Sequence, residues 1–231
     1  MEKRYNKDMM NSYDFLRIAI PSYDKFQEQI SKLIKNNRAN SKTIRILDLG
    51  CGTGLTSKVI LEKNKNIFIT ALDLEKNMIN QAKKRIKSKN VQFVCKNAFN
   101  FLPTLKTESF DFVVSALTIH NFTRKNRNKL LKQIFRILKQ GGCLINADKY
   151  SLDNSKEQDK ALNYHFGVFN FFKKHKRPDL KENWIKHYKK DMDKDIIMKE
   201  KEAIKDLKEI GFKEIKITYR KHMFAVLIGK K

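Results

Sequence analysis

The stretch Leu47-Asp48-Leu49-Gly50-Cys51-Gly52-Thr53-Gly54 is the densest concentration of chemistry in the sequence. Glycines at alternate positions let a backbone turn sharply and approach a ligand without interference from a Cβ atom. Asp73 follows at the end of the next apolar run, where a carboxylate can accept two hydrogen bonds from the hydroxyls of a ribose. Turn and carboxylate together point to an adenosine-containing ligand. A dinucleotide site would carry G-x-G-x-x-G, which is missing here, and no P-loop lysine follows the glycines. His120, in Ile119-His120-Asn121, is placed where a general base could act on a neighbouring group, its imidazole titrating near neutrality. The same histidine also reads as a helix-cap or packing residue. The three cysteines, Cys51, Cys95 and Cys143, are too widely spaced for a disulfide framework or a zinc cluster, so three free thiols and no metal site are expected.

The elements that would position these residues follow from hydrophobic period. After Pro21, Tyr23, Phe26, Ile30, Leu33 and Ile34 recur at helical spacing. Ile44–Leu49 is a short apolar run stopped by the glycines, and helical character resumes over residues 55–61. Residues 67–72 repeat the pattern as a buried strand, followed by a helix with Met78, Ile79, Ala82 and Ile86 on one face. Val91–Cys95 and Phe110–Ala116 are the third and fourth strands. Thr123 caps a helix striped by Leu130, Leu131, Ile134, Phe135 and Leu138, which Gly141 and Gly142 are expected to stop before a fifth strand over residues 143–147. Such alternation implies right-handed crossovers and a largely parallel sheet covered on both faces.

From Tyr150 the pattern changes. Residues 151–195 are charged, helical and aromatic, with Tyr164, Phe166, Phe169, Phe171, Phe172, Trp184 and Tyr188, and read as an insertion above the sheet. A last helix is expected over residues 196–210, ended by Gly211. Runs at 214–219 and 222–229 are too close for a crossover and must form an antiparallel hairpin.

A length of 231 residues suits one α/β domain with a modest insertion. The sequence holds no apolar run long enough for a membrane span, and residues 1–10 lack the apolar core of a signal peptide, so a cytoplasmic location is expected. The net charge of +25 fits a polyanionic partner such as RNA. Its lysines are nevertheless scattered through every segment, which a general compositional bias also produces.

The motif Asp48-Leu49-Gly50-Cys51-Gly52-Thr53-Gly54, with Asp73 and Leu138-Lys139-Gln140-Gly141-Gly142, resembles the class I S-adenosylmethionine-dependent methyltransferases from about Ile44 to the C-terminus. The resemblance implies one domain over residues 1–231, with a Rossmann-like, seven-stranded, mostly parallel sheet whose C-terminal strand is antiparallel. It also implies a helical lid over residues 1–43, the insertion at 151–195, and S-adenosyl-L-methionine as cofactor. Carried across by position, Gly50, Cys51 and Gly52 run along the methionine part and Asp48 lies near its ammonium. Asp73 holds the ribose, Leu74 and Met78 flank the adenine, and Asn97 and Ala98 face its edge, with Asn97 where the family usually has aspartate. Ser115, Ala116 and Leu117 form the pocket floor, and Tyr23, in Pro21-Ser22-Tyr23, covers the cofactor from the lid or serves as a core position.

The resemblance implies methyl transfer to an acceptor that is either a small molecule or tRNA, walled by Tyr164, His165 and the 166–172 cluster, with a homodimer through the aromatic insertion as a further expectation. The order of lid, insertion and hairpin is also similar to the carboxy-S-adenosylmethionine synthases of tRNA wobble-uridine modification. Those use an arginine from the insertion, where Lys186-His187-Tyr188-Lys189-Lys190 has none. A non-catalytic module binding S-adenosylmethionine or RNA is the remaining alternative.

Overall fold

The computed structural model describes residues 13–15, 17, 20, 23–37 and 43–231. Helix α1 (Tyr23–Asn36) precedes the sheet and buries Phe26, Ile30, Leu33 and Ile34 along one stripe. Then follow β1 (Ile44–Leu49), α2 (Leu55–Lys63), β2 (Ile67–Asp73), α3 (Lys76–Arg85), β3 (Val91–Cys95), the short α4 (Ala98–Phe101), β4 (Phe110–Ala116), α5 (Arg124–Ile137) and β5 (Leu138–Lys149). The insertion consists of α6 (Ser155–Val168), α7 (Asn170–Lys174) and α8 (Pro178–Lys190). Helix α9 (Glu200–Ile210) and the hairpin of β6 (Lys213–Lys221) and β7 (Phe224–Lys230) close the chain.

The seven strands lie in the order β3-β2-β1-β4-β5-β7-β6. The first five pair in parallel, and β7 runs antiparallel to both β5 and β6. Strand alternation assigns each side chain to one of two cores. In β1, Ile44 and Ile46 join the core under α1 and the insertion. Leu47 and Leu49 join the core under α5 and α9. In β7, Phe224, Val226 and Ile228 face the first core, and Ala225 and Leu227 the second. Burial on both faces is why these strands read as continuous apolar runs.

Two expected boundaries move. Leu138 is not the last residue of a helical stripe but the first of β5, where it pairs with Phe110. The register then shifts before Cys143 pairs with Phe112. Gly141, at a φ of 73°, lets the chain make that jog, so the glycines sit inside the strand rather than stopping a helix. The last helix begins at Glu200 instead of 196. The buried Arg127 guanidinium donates to the carbonyls of Ile196 and Ile197 at 2.6 and 2.9 Å and so removes them as helix acceptors. Lys199 meanwhile bridges to Ser151. Thr123 caps α5 as expected, accepting from the Asn126 amide.

Strand order reverses between β1 and β4, opening a crevice at their carboxyl ends, where ligands of open α/β sheets bind. The glycine turn leaves the end of β1, and the segment containing His120 leaves the end of β4.

Candidate functional site

The glycine turn is held from below by backbone bonds. The amides of Gly50 and Cys51 both donate to the Leu72 carbonyl of β2, at 2.8 and 2.9 Å. Gly50 has a φ of 72°, and a Cβ there would lie 2.3 Å from Thr118 Oγ1. Thr118 fills that space and donates back to the Gly50 carbonyl at 3.3 Å, joining the turn after β1 to the segment after β4.

Asp73 spans the turn. One carboxylate oxygen accepts from the Gly52 amide and the other from the Glu75 amide, each at 2.9 Å. Each oxygen keeps a further lone pair for a ligand hydroxyl. Burial raises the Asp73 pKa, and the two amides oppose that shift. Beside it, Leu74 is 40% exposed, an apolar side chain facing solvent next to a ribose-type carboxylate, while Met78 is buried behind it. Asp48 is fully buried on β1. Its Oδ2 accepts from Ser57 Oγ of α2 at 2.5 Å, its Oδ1 has no hydrogen-bond partner, and burial pushes its pKa up to about 6. A buried, unpartnered carboxylate oxygen beneath a glycine turn fits a cationic ligand group. Asn97 turns its Oδ1 inward to the Phe99 amide at 2.9 Å, capping α4 immediately before Ala98. Ser115 is fully buried, Ala116 half-buried, and Leu117 adopts a φ of 55° as the chain leaves β4.

Residues upstream of Tyr23 also approach the turn. Tyr13 Cε1 lies 3.9 Å from where a Gly52 Cβ would be, and its ring meets Trp184 of α8 at 6.3 Å. Asp14 accepts from Thr53 Oγ1 at 2.7 Å and pairs with Arg85, whose guanidinium also reaches the Thr53 carbonyl. Tyr23 sits at the start of α1, half-buried, with its hydroxyl pKa raised chiefly by burial. Pro21 and Ser22 lie outside the described residues, as does most of the expected lid.

A second cluster lies beyond Thr118. His120 is buried, its Nδ1 2.5 Å from Asp148 Oδ1, and its amide donates to the other Asp148 oxygen at 3.1 Å. A carboxylate on Nδ1 places the proton there and leaves Nε2 as the lone-pair nitrogen. Nε2 is fully buried and points toward the insertion, 3.9 Å from Asp191 Oδ2. Asp191 also receives the Lys149 ammonium and has His187 Nε2 3.9 Å from its Oδ1. Burial lowers the His120 pKa, helped by Lys149. Neighbouring His165, with Tyr164, stacks among His222, Tyr188 and Phe224, while Phe169 and Phe172 pack into the core.

A family model described as a methyltransferase domain matches residues 46–142. That span covers the glycine turn, Asp73, Asn97, Ser115 and His120. Over that span the chain is similar to methyltransferase domains. It is 27% identical to a malonyl-(acyl-carrier protein) O-methyltransferase of Paenibacillus sp. (strain JDR-2), over 63% of this chain and 52% of that protein, so it spans about half of that relative's length. It is 26% identical to a carboxy-S-adenosyl-L-methionine synthase of Nautilia profundicola, over 94% of this chain and 89% of that one. Among solved structures, a Methanococcus maripaludis protein provisionally described as an S-adenosyl-L-methionine-dependent methyltransferase shares the fold, with a TM-score of 0.64 and 20% identity over 100% of this chain and 97% of that one. No helix among the described residues is long and apolar enough to cross a membrane. Cys51, Cys95 and Cys143 are free thiols.

Sequence reasoning missed Tyr13, Asp14, Arg85 and Thr118 at the turn, and the meeting of His187 and Asp191 with His120. The spacing of His187 and Asp191, one helical turn apart, was the available signal.

Proposed function

We propose that this chain transfers a methyl group from S-adenosylmethionine to an acceptor, a small molecule or a tRNA nucleoside, held between the carboxyl ends of β4 and β5 and the insertion. The observation that carries this reading is Asp73, whose carboxylate ties the glycine turn to the end of β2 while keeping lone pairs for a ribose. Asp48 then lies where the methionine ammonium needs a counter-charge, and Gly50, Cys51 and Gly52 give it a backbone channel. Leu74 and Met78 offer apolar surface to the adenine, with Asn97 and Ala98 at its edge. Ser115, Ala116 and Leu117 close the floor, while Tyr13 and Tyr23 stand on the lid side. Bound S-adenosylmethionine supplies an activated methyl on a sulfonium, so the protein's work is alignment and exclusion of water.

A carboxy-S-adenosylmethionine synthase reaction is the second reading, favoured by the end-to-end similarity to that enzyme of Nautilia profundicola. It needs a cation for the extra carboxylate. Helix α8 offers Lys186, Lys189 and Lys190 but no arginine fork.

Calorimetric titration with S-adenosylmethionine, S-adenosylhomocysteine and NAD tests the proposal. We expect the two sulfur nucleosides to bind and NAD not to. Asp73→Ala should weaken binding by roughly 100-fold, the loss of two hydrogen bonds to a charged acceptor. Binding of NAD alone would overturn the reading, and mass spectrometry of the ligand that co-purifies separates S-adenosylmethionine from its carboxylated form.

A further inference from the structure

His120, His187 and Asp191 are separated in the sequence, but the fold brings one nitrogen from each histidine and a carboxylate oxygen within 4.8 Å of one another, all three residues buried. We propose that they form a binding site for a divalent transition-metal ion of the zinc type, on the acceptor side of the cleft. Two imidazole nitrogens and one carboxylate oxygen are the donor set of catalytic sites that keep a coordination position open.

Three further observations point the same way. The Nδ1 of His120 is bonded to Asp148, which fixes the tautomer that presents a lone pair from Nε2. A metal-bound histidine almost always has such a carboxylate behind it. Nε2 itself is buried without a hydrogen-bond partner, a state that costs free energy unless something fills it. Finally, His120 and Asp191 line a small cavity with Lys149, Tyr150, Gln158 and Met192, in which the space for a water centre is about 10 Å³, room for one small occupant. Tetrahedral zinc with bonds of about 2.1 Å holds its ligand atoms about 3.4 Å apart. Each histidine nitrogen lies 3.9 Å from a different Asp191 oxygen, and the three donor atoms lie within 4.8 Å of one another, so metal binding needs them to close by up to about 1.4 Å.

The Lys149 ammonium is already paired with Asp191 and competes for it. The same ammonium lies 4.1 Å over the Tyr188 ring, which retains it by a cation–π contact when the carboxylate turns to the metal. Lysine and metal are thus alternative partners of one carboxylate, and removing the lysine must tighten the metal. In this arrangement His120 serves as a ligand rather than a free base, and the open position polarises an acceptor heteroatom. That last consequence rests on the methyltransferase reading, whereas the metal site does not.

The test is titration of chelator-stripped full-length protein with Zn²⁺ against a chromophoric competitor, without nucleoside. We expect one Zn²⁺ per chain. His187→Ala and Asp191→Asn should each weaken it by roughly 100-fold, and Asp148→Asn by about 10- to 100-fold. Lys149→Met should bind more tightly than the wild type. Co²⁺ added to the wild type should give visible d–d bands without thiolate charge transfer, a readout that needs no variant. S-adenosylhomocysteine binding by each variant reports its fold and, in the wild type, tests the donor site separately. The proposal falls if neither the wild type nor Lys149→Met binds stoichiometric Zn²⁺. It falls equally if folded His187→Ala binds as tightly as the wild type, or if the Co²⁺ spectrum shows cysteine thiolate.

Discussion

The end of the cleft that we propose for the methyl donor, the donor end, is assembled from the glycine turn and Asp73 on neighbouring strands and holds itself largely through backbone amides. The end that we propose for the acceptor draws His120, Asp148 and the His187–Asp191 pair from three separate elements and joins them mainly through side chains, with one backbone bond from the His120 amide to Asp148. Backbone amides cannot be changed without moving the strand, so the donor end is rigid wherever the sheet is. Side-chain bonds depend on each partner, so the acceptor end can be altered residue by residue. Thr118 is where the two meet, filling the space above Gly50 two residues before His120.

Substitution can break this contrast or sharpen it. The largest effect is expected at Gly50→Ala, which combines a left-handed φ with a Cβ driven into Thr118. Urea unfolding should show a loss of about 2–4 kcal/mol, part of it recovered by Thr118→Gly in the same chain. A loss under about 1 kcal/mol would mean that the turn yields and that the donor end is no stiffer than the acceptor end.

A smaller and pH-dependent effect is expected at His165, buried with neither ring nitrogen hydrogen-bonded and its pKa pushed down to about 3, first by burial and then by His222 and Lys149. The folded state holds this group neutral. Its contribution is therefore present above the ordinary histidine pKa of about 6.5 and declines as the pH falls toward 3. Between pH 7 and pH 5 the wild type should lose about 2 kcal/mol from this residue, a loss that His165→Phe removes. Equal acid sensitivity in both proteins would show that His165 finds a proton acceptor on charging.

The smallest effect is expected at Arg85→Ala, which releases Asp14 and the Thr53 carbonyl and so loosens Tyr13 over Gly52. Because the pair is partly exposed, we expect about 0.5–1 kcal/mol, a two- to fivefold rise in the Kd for S-adenosylhomocysteine by calorimetry. A rise above tenfold would make the N-terminal segment a wall of the donor site rather than a cover.

The same contrast explains what the sequence disclosed. Strands buried on both faces leave apolar runs, so β1 and β4 were legible to the residue, as were the glycine turn and Asp73, while the part-exposed β3 was legible from its short apolar run alone. The jog at Gly141 was not, because a glycine within a strand and one after a helix look alike until Leu138 is seen paired with Phe110. Nor was the late start of α9, which follows from Arg127 taking two carbonyls some 70 residues away. At the acceptor end, His120 stood out singly, but nothing local connects it with His187 and Asp191. Tyr23 reads equally as a cover, by its likeness to a family lid, and as a core position on an amphipathic helix, whereas Tyr13, whose ring approaches Gly52, lies in a three-residue turn without periodicity.

One last consequence lies in the bridge between Ser151 and Lys199. The Ser151 amide donates to the Met198 carbonyl at 2.8 Å, so the chain leaves the rim of the sheet and returns to it at a single point. Everything between is a closed loop whose entropic cost grows only with the logarithm of its length, about 0.6 kcal/mol for each doubling. A change of length within α6 to α8 therefore changes the closure entropy very little, and its larger cost is the packing that Phe169, Phe172, Trp184 and Tyr188 give to the core.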